Sequence, residues 1–163
     1  MAATPGVTFR DAVPGDGPIV AEFVRALADY ERLLHLAVAT GADFEAALFG
    51  PIPRVHGMIA EEAGTPVGFA LWYYIFSTFT GCPGMYLEDI FVVPERRNAG
   101  IGRGIFRELA RHALADGCTF MHWAVLDWNA PSIAFYRSIG AVGLDEWTTQ
   151  RLTGDALSAL AAA

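Results

Sequence analysis

The sequence has few charged residues and no apolar run long enough to cross a membrane. Charged residues make up 18% of the 163 residues, and the formal net charge is −7. A nucleic-acid-binding protein needs a basic face, so this charge balance argues against nucleic acid as a partner. The longest apolar run, residues 69–76, is far shorter than the ~20 residues of a membrane helix. We therefore expect no membrane partner, and we interpret the run as a buried strand with an oligomer surface.

Cysteine is also scarce, and the histidines are scattered. Cys82 and Cys118 provide no disulfide framework, and neither they nor the four histidines have the spacing of metal ligands. We therefore predict no metal site. The first residues lack the charged and then apolar pattern of a signal peptide, so the sequence favours a cytoplasmic location.

Residues 85–117 are the most informative stretch, because they predict a strand, a glycine-rich turn and a helix in succession. Hydrophobic residues dominate 85–93, and Pro94 then ends the strand. Apolar residues recur every four positions from Ile101 to Ala113, and Gly117 stands where a helix often ends. A glycine turn before a helix directs backbone N–H groups and the positive end of the helix dipole at one point. The stretch therefore predicts an anion-binding site.

The spacing of this turn, Arg-x-x-Gly-x-Gly over residues 97–102, limits which anion can bind. A P-loop would need Gly-Lys-Ser/Thr, and a dinucleotide fingerprint would need glycine where Ile105 stands. Three further segments accompany the turn: Tyr30-Glu31, residues 86–89 (Tyr-Leu-Glu-Asp), and residues 128–136, which contain Trp-Asn-x-Pro-Ser and then Tyr. With these motifs the chain resembles the GNAT family of acetyl-CoA-dependent N-acetyltransferases, and within it the diamine (spermidine/spermine) and thialysine acetyltransferases.

The resemblance covers nearly the whole chain and implies an α/β fold of the α+β type, the GNAT acyl-CoA N-acyltransferase fold. Its mixed, mostly antiparallel sheet is flanked by helices, in a single domain over residues 1–163 that we expect to form a homodimer. The patterns place strands at 7–10, 56–61, 66–76, 85–93, 119–126 and within 141–152, with a loop at 77–84. They place helices after Asp16, over 43–48 behind a Thr40 cap, over 101–116, from Pro131 to Gly140, and after Thr153.

The resemblance assigns a cofactor site for acetyl-CoA as co-substrate. The turn would hold the pyrophosphate, the edge of the preceding strand would pair with the pantetheine amides, and the start of a later helix would also contact the cofactor. The cofactor-binding residues are Ile90, Phe91, Val92, Arg97, Asn98, Ala99, Gly100, Ile101, Gly102, Arg103, Asn129 and Ser132.

Two residues are the catalytic candidates. A protonated amine has no lone pair, so a carboxylate must accept its proton, directly or through water, and we assign this role to Glu88. Side chains of neighbouring strand residues point to opposite faces, so we expect Asp89 to be structural. Tyr136 is assigned as the acid that protonates the departing thiolate. The remaining candidates for contact with the amine are Tyr30, Glu31, His122, Trp123 and Glu146, together with Glu88.

The acceptor is expected to be a primary amine of a small molecule. Residues 33–36 are Leu-Leu-His-Leu, where the polyamine enzymes carry further acidic residues. A short diamine or a thialysine-like amino acid therefore fits better than a long polyamine. Alternatives are a GNAT enzyme acting on another amine, such as an amino acid or an antibiotic, and a non-catalytic acyl-CoA sensor. A dinucleotide module fits poorly, because the turn follows antiparallel strands rather than the first strand of a βαβ unit.

Overall fold

The computed structural model describes residues 6–163. The strands are β1 (Val7–Asp11), β2 (His56–Glu62), β3 (Thr65–Ser77), β4 (Cys82–Val92) and β5 (Met121–His122). The helices are α1 (Gly17–Tyr30), α2 (Gly41–Phe49), α3 (Ile101–Ala115), α4 (Ala130–Ser138) and α5 (Gly154–Ala161). Single 3-10 turns cover Leu34–Leu36 and Pro94–Arg96. No helix within the described range combines the length and apolar character needed to span a membrane.

The strands form one five-stranded sheet in the order β1-β2-β3-β4-β5. Strands β1 to β4 pair with one another antiparallel, and β5 runs parallel to β4. This arrangement confirms the predicted mixed and mostly antiparallel sheet.

Helices cover both faces of this sheet. Alternate side chains of β3 point to opposite faces, and they pack against different helices. Phe69 and Leu71 belong to the core on the α1 side, where the Phe23 ring stacks on Phe69 with centroids 5.3 Å apart. Trp72 points to the opposite face, where its ring lies 5.5 Å from that of His112 on α3.

Two helix ends are capped as the local sequence predicts, and at a third, the start of α1, the side chain of the N-cap residue does not cap the helix. Thr40 and Asp43 form a capping box at the start of α2, as predicted. Gly117 follows α3 with φ +74°, the left-handed conformation that glycine favours. Asp16 precedes α1, but its carboxylate caps no helical N–H. It accepts instead from Arg10 at 2.6 Å and from the Val13 N–H at 2.8 Å.

Three sequence-based boundaries are wrong. The predicted strand 119–126 is ordered as a strand only at Met121–His122, because β4 bulges and bends just beyond that point and a neighbour cannot follow it. The predicted strand within 141–152 is irregular: nearly all of its residues are exposed, and no described strand pairs with it. Half of the predicted loop 77–84, residue 77 and residues 82–84, belongs instead to β3 and β4, which pair as far as Ser77 and Cys82.

The described chain divides into two compact units between Leu126 and Asp127. The first unit contains the sheet with α1, α2 and α3. The second contains α4, an irregular segment and α5. The single domain over residues 1–163 stays a prediction.

Candidate active site

The glycine-rich turn before α3 has the features that an anion site requires. Asn98 and Gly100 both adopt positive φ, 63° and 84°, which turns the chain sharply into the helix. Gly100 is the N-cap residue and has no side chain, so it does not occupy the first N–H groups of α3. The first turn of α3 contains no acidic residue and does contain Arg103. The positive end of the helix dipole is therefore not neutralised by a neighbouring carboxylate.

Arg97, at the start of the turn, contacts both α1 and β4. Its guanidinium carbon lies 4.7 Å from the centroid of the Tyr30 ring and 5.2 Å from that of Phe91. Its Nε donates to the Val92 carbonyl at 3.1 Å. Arg97 thus connects a residue predicted to contact the amine with the strand edge predicted to hold the cofactor.

The edge of β4 toward β5 is paired over a short stretch only. The two strands pair at Met85–Met121 and Tyr86–His122, whereas β4 continues to Val92. A Cβ placed on Gly68 would lie 2.8 Å from the Phe91 carbonyl, so that carbonyl points toward β3. Carbonyls alternate along a strand, and the Val92 carbonyl therefore points toward the β5 side. The predicted cofactor residues Ile90, Phe91 and Val92 all lie on this unpaired part of β4.

Glu88 is the extra residue of a β-bulge in β4. Leu71 pairs with Asp89 and Trp72 pairs with Leu87, so no residue of β3 lies opposite Glu88. The strict alternation that would separate Glu88 from Asp89 is interrupted here. The Glu88 side chain is exposed, and it lies close enough to raise the pKa of Asp89 by charge repulsion.

Asp89, which the sequence analysis expects to be structural, lies beside the candidate base Glu88 and near Glu31. Its side chain is half-buried on the α1 face, and burial, followed by the charges of Glu88 and Glu31, raises its pKa to about 6. Burial also raises the pKa of Glu31 at the end of α1. Three carboxylates therefore lie near one another, and the bulge, rather than local sequence, brings the third into the group. The sequence feature that could have indicated this position is a carboxylate with apolar residues nearby, in Leu-Glu-Asp-Ile-Phe.

Two tyrosines line the same face beside these carboxylates. The rings of Tyr73 and Tyr86 stack with centroids 5.1 Å apart. Burial is the main cause that raises the pKa of both phenols, and the nearby charge of Glu88 adds to it. A face with carboxylates and aromatic rings suits an organic cation, because both attract positive charge.

The predicted residues His122, in β5, and Trp123, just after it, lie in different surroundings. His122 pairs with Tyr86 and is exposed, and its ring lies 4.7 Å from that of Phe120. Trp123 packs its ring against Phe106 of α3, with centroids 5.1 Å apart. Trp123 therefore has a packing contact with the helix that carries the glycine turn.

The remaining predicted residues belong to the second unit. Asn129 is buried, and its side-chain oxygen accepts from the Ser132 N–H at 3.3 Å, which caps α4. Tyr136 lies one turn after Ser132 on the same helix and is half-buried. Glu146 is exposed in the irregular segment.

No group of three or more potential metal ligands occurs among residues 6–163. A cavity of about 230 Å³ lies elsewhere in the first unit, beside Asp11, His56, Trp72 and His112, and it contains none of the predicted site residues.

Comparison with known proteins gives consistent matches. The model of the acetyltransferase (GNAT) family matches residues 23–141. A thialysine N-epsilon-acetyltransferase of Sus scrofa is 38% identical over 166 residues, covering 95% of this chain and 97% of its own length. An L-ornithine N5-acetyltransferase of Arabidopsis thaliana is 29% identical, covering 93% and 86%. An integron cassette protein of Vibrio cholerae has a similar structure, with TM-score 0.80, 26% identity and coverage of 97% and 99%.

Proposed function

The chain belongs to the acetyltransferase (GNAT) family, and from this membership we propose that it moves the acetyl group of acetyl-CoA to a primary amine of a small, cationic molecule. The acceptor class that we propose is a short diamine, a polyamine or a thialysine-like amino acid. The observation that carries the choice of a cationic acceptor is the group formed by Glu31, Glu88 and Asp89. Burial disfavours the charges of Asp89 and Glu31, the charges of Glu88 and Glu31 add to this at Asp89, and a bound ammonium group would relieve that repulsion.

The residues present fit acetyl-CoA. The N–H groups of residues 97–103 would hold its pyrophosphate, with Arg97 and Arg103 supplying charge. The edge of β4 at residues 90–92, which no described strand covers, would pair with the pantetheine amides through groups other than the Val92 carbonyl, which already accepts from Arg97. Asn129 and Ser132 would complete the site from α4. When bound, acetyl-CoA supplies an activated thioester, and the residues of the chain orient it.

Proton transfer would be divided between two residues. Glu88 would accept the proton of the ammonium group, directly or through water, since only the free amine has a lone pair. Tyr136 would donate a proton to the departing sulfur. Tyr30, Glu31, His122, Trp123 and Glu146 would contact the acceptor. Asp89 joins this set in our proposal, since its raised pKa lets it exchange a proton near neutral pH.

We also propose that the chain acts in the cytoplasm, without a metal, and as a homodimer. A second candidate is a sensor that binds acyl-CoA without catalysis, but such a protein would need neither a base at Glu88 nor an acid at Tyr136.

The test is the release of thiol from acetyl-CoA in the presence of putrescine, spermidine, spermine, lysine, ornithine, thialysine and neutral amino acids. We expect release with a short cationic amine. Tyr136→Phe should lower kcat with little change in acetyl-CoA affinity, and Glu88→Gln should lose most activity at low pH, where few amines are free. Asp155→Asn, an exposed change in α5, is the matched control. Tight acetyl-CoA binding without release for any amine would favour the sensor.

A further inference from the structure

The cavity of about 230 Å³ in the first unit is separate from the proposed acceptor site. It is bordered by Asp11 at the end of β1, His56 at the start of β2, Trp72 of β3, and the C-terminal ends of α2 and α3. Asp89 pairs with the residue before Trp72, so Asp89 and Trp72 point to opposite faces of the sheet. A cavity of about 150 Å³ can hold benzene, so this one has room for a ring with a short side chain.

Two carboxylates border the cavity, and each is oriented by a neighbouring side chain. The Oδ1 atom of Asp11 lies 3.2 Å from the Nε2 atom of His112, and the Tyr74 hydroxyl donates to Asp116. Such contacts hold a carboxylate in one direction before a ligand arrives. Among the described residues that line the cavity, none is an arginine. Two negative charges beside one cavity attract a cation.

Trp72 adds a hydrogen-bond donor to this lining. Trp72 is 3% exposed, and its Nε1 atom has no hydrogen-bond partner among residues 6–163. The His56 ring stacks on the Trp72 ring with centroids 5.7 Å apart, which fixes the plane of the indole. An indole N–H can only donate, and a buried donor without an acceptor costs free energy. A ligand that brings an oxygen acceptor to Trp72 would recover that cost.

The end of α2 supplies apolar surface through Leu48 and Phe49. We propose that the cavity is a second binding site, for a small organic ammonium compound with an apolar body and a hydroxyl group. The ammonium group would bind Asp11 and Asp116, and the hydroxyl oxygen would accept from Trp72. This proposal depends neither on acetyl transfer nor on the identity of the acceptor amine.

The test is a titration of the full chain with β-phenylethanolamine, which has all three features. Phenethylamine lacks the hydroxyl group, and α-methylbenzyl alcohol lacks the amine. A ligand of about ten non-hydrogen atoms should bind with a Kd of about 1–10 mM, so the titration extends to about 20 mM. The readout is the nitrogen–proton correlation spectrum, in which the indole N–H groups of the four tryptophans appear separately.

Binding should shift the indole N–H resonance of Trp72. Phenethylamine should bind about two- to tenfold more weakly, because it offers no acceptor to the indole N–H. The neutral alcohol should bind at least about tenfold more weakly, because hydrogen bonds to charged groups are the stronger ones. Asp11→Asn and Asp116→Asn should each raise the Kd at least about threefold. Asp155→Asn, an exposed change in α5, is the matched control and should leave the Kd unchanged.

The same spectra separate this cavity from the proposed acceptor site. A probe bound at the acceptor site would shift the Trp123 resonance instead, and Glu31→Gln would weaken it. That result would overturn the proposal, as would an unmoved Trp72 resonance, equal affinity for the neutral alcohol, or an unchanged Kd in both Asp11→Asn and Asp116→Asn. A thermal melt of each variant reports whether it folds. Thiol release, measured in parallel, reports the proposed activity separately.

Discussion

Replacing Asp89 by asparagine should stabilise the fold at neutral pH, although Asp89 lies in the proposed site. Its pKa is about 6 in the folded chain against an ordinary value of 3.8. The folded state therefore prefers the protonated carboxyl. Ionised Asp89 therefore destabilises the folded state. This loss of folding free energy is absent below pH 3.8, grows as the pH rises toward 6, and is complete above that.

The magnitude follows from the size of this shift. A shift from 3.8 to about 6 corresponds to about 3 kcal/mol at 1.36 kcal/mol per pKa unit. Asparagine removes the charge but leaves a buried amide, so we expect Asp89→Asn to gain about 1–3 kcal/mol at pH 8 and almost nothing at pH 4. In urea the midpoint should rise by about 1 M at pH 8.

The assay is urea unfolding of wild type and Asp89→Asn at several pH values between 4 and 8, and the quantity of interest is their difference. Subtraction removes the contributions of other carboxylates, which both proteins share. Asp155→Asn, exposed in the first turn of α5, is the control and should show no comparable pH-dependent gain. Glu31→Gln and Glu88→Gln should each lower the pKa of Asp89 only partly, because burial is its largest cause. If the difference in the free energy of unfolding between wild type and Asp89→Asn is the same at pH 4 and at pH 8, the reasoning is refuted.

Three further changes test other contacts. Arg10→Met should destabilise by about 2 kcal/mol at pH 7, because Asp16 is 5% exposed and loses its cation. The Arg10 hydrogen bond lowers the Asp16 pKa below its ordinary 3.8, so the loss in urea unfolding should be nearly full above pH 3.8 and shrink below it, and an equal loss at about pH 3 and at pH 7 would contradict this. Thr40→Val should cost about 1 kcal/mol, whereas Thr153→Val, at an N-cap without a side-chain bond, should cost less, and equal losses would exclude the cap as the cause. Arg97→Met should raise the KM for acetyl-CoA about tenfold with kcat little changed, and Arg97→Lys should recover part of it; unchanged steady-state kinetics would remove Arg97 from the cofactor site.

Much of the scaffold could be predicted because its signals are local. The apolar period from Ile101 to Ala113, the glycines before and after α3, and the Thr40 cap each depend on residues within a few positions of one another. The matched family then accounted for the order of the elements and for the glycine-rich turn. Strand limits near 119–126 and 141–152 could not be predicted, because a strand exists only where another strand pairs with it.

The sequence by itself determined the strand–turn–helix unit, the capped helices and the family. Only the tertiary structure decided which side chains meet. The bulge at Glu88 depends on the register between β3 and β4, and Asp89 acquires its raised pKa from burial on the α1 face and from Glu31 far back in the chain. Arg97 likewise contacts Tyr30, which lies far back in the chain. Register and burial arise from contacts between distant segments, and a pattern of neighbouring residues contains no information about those distances.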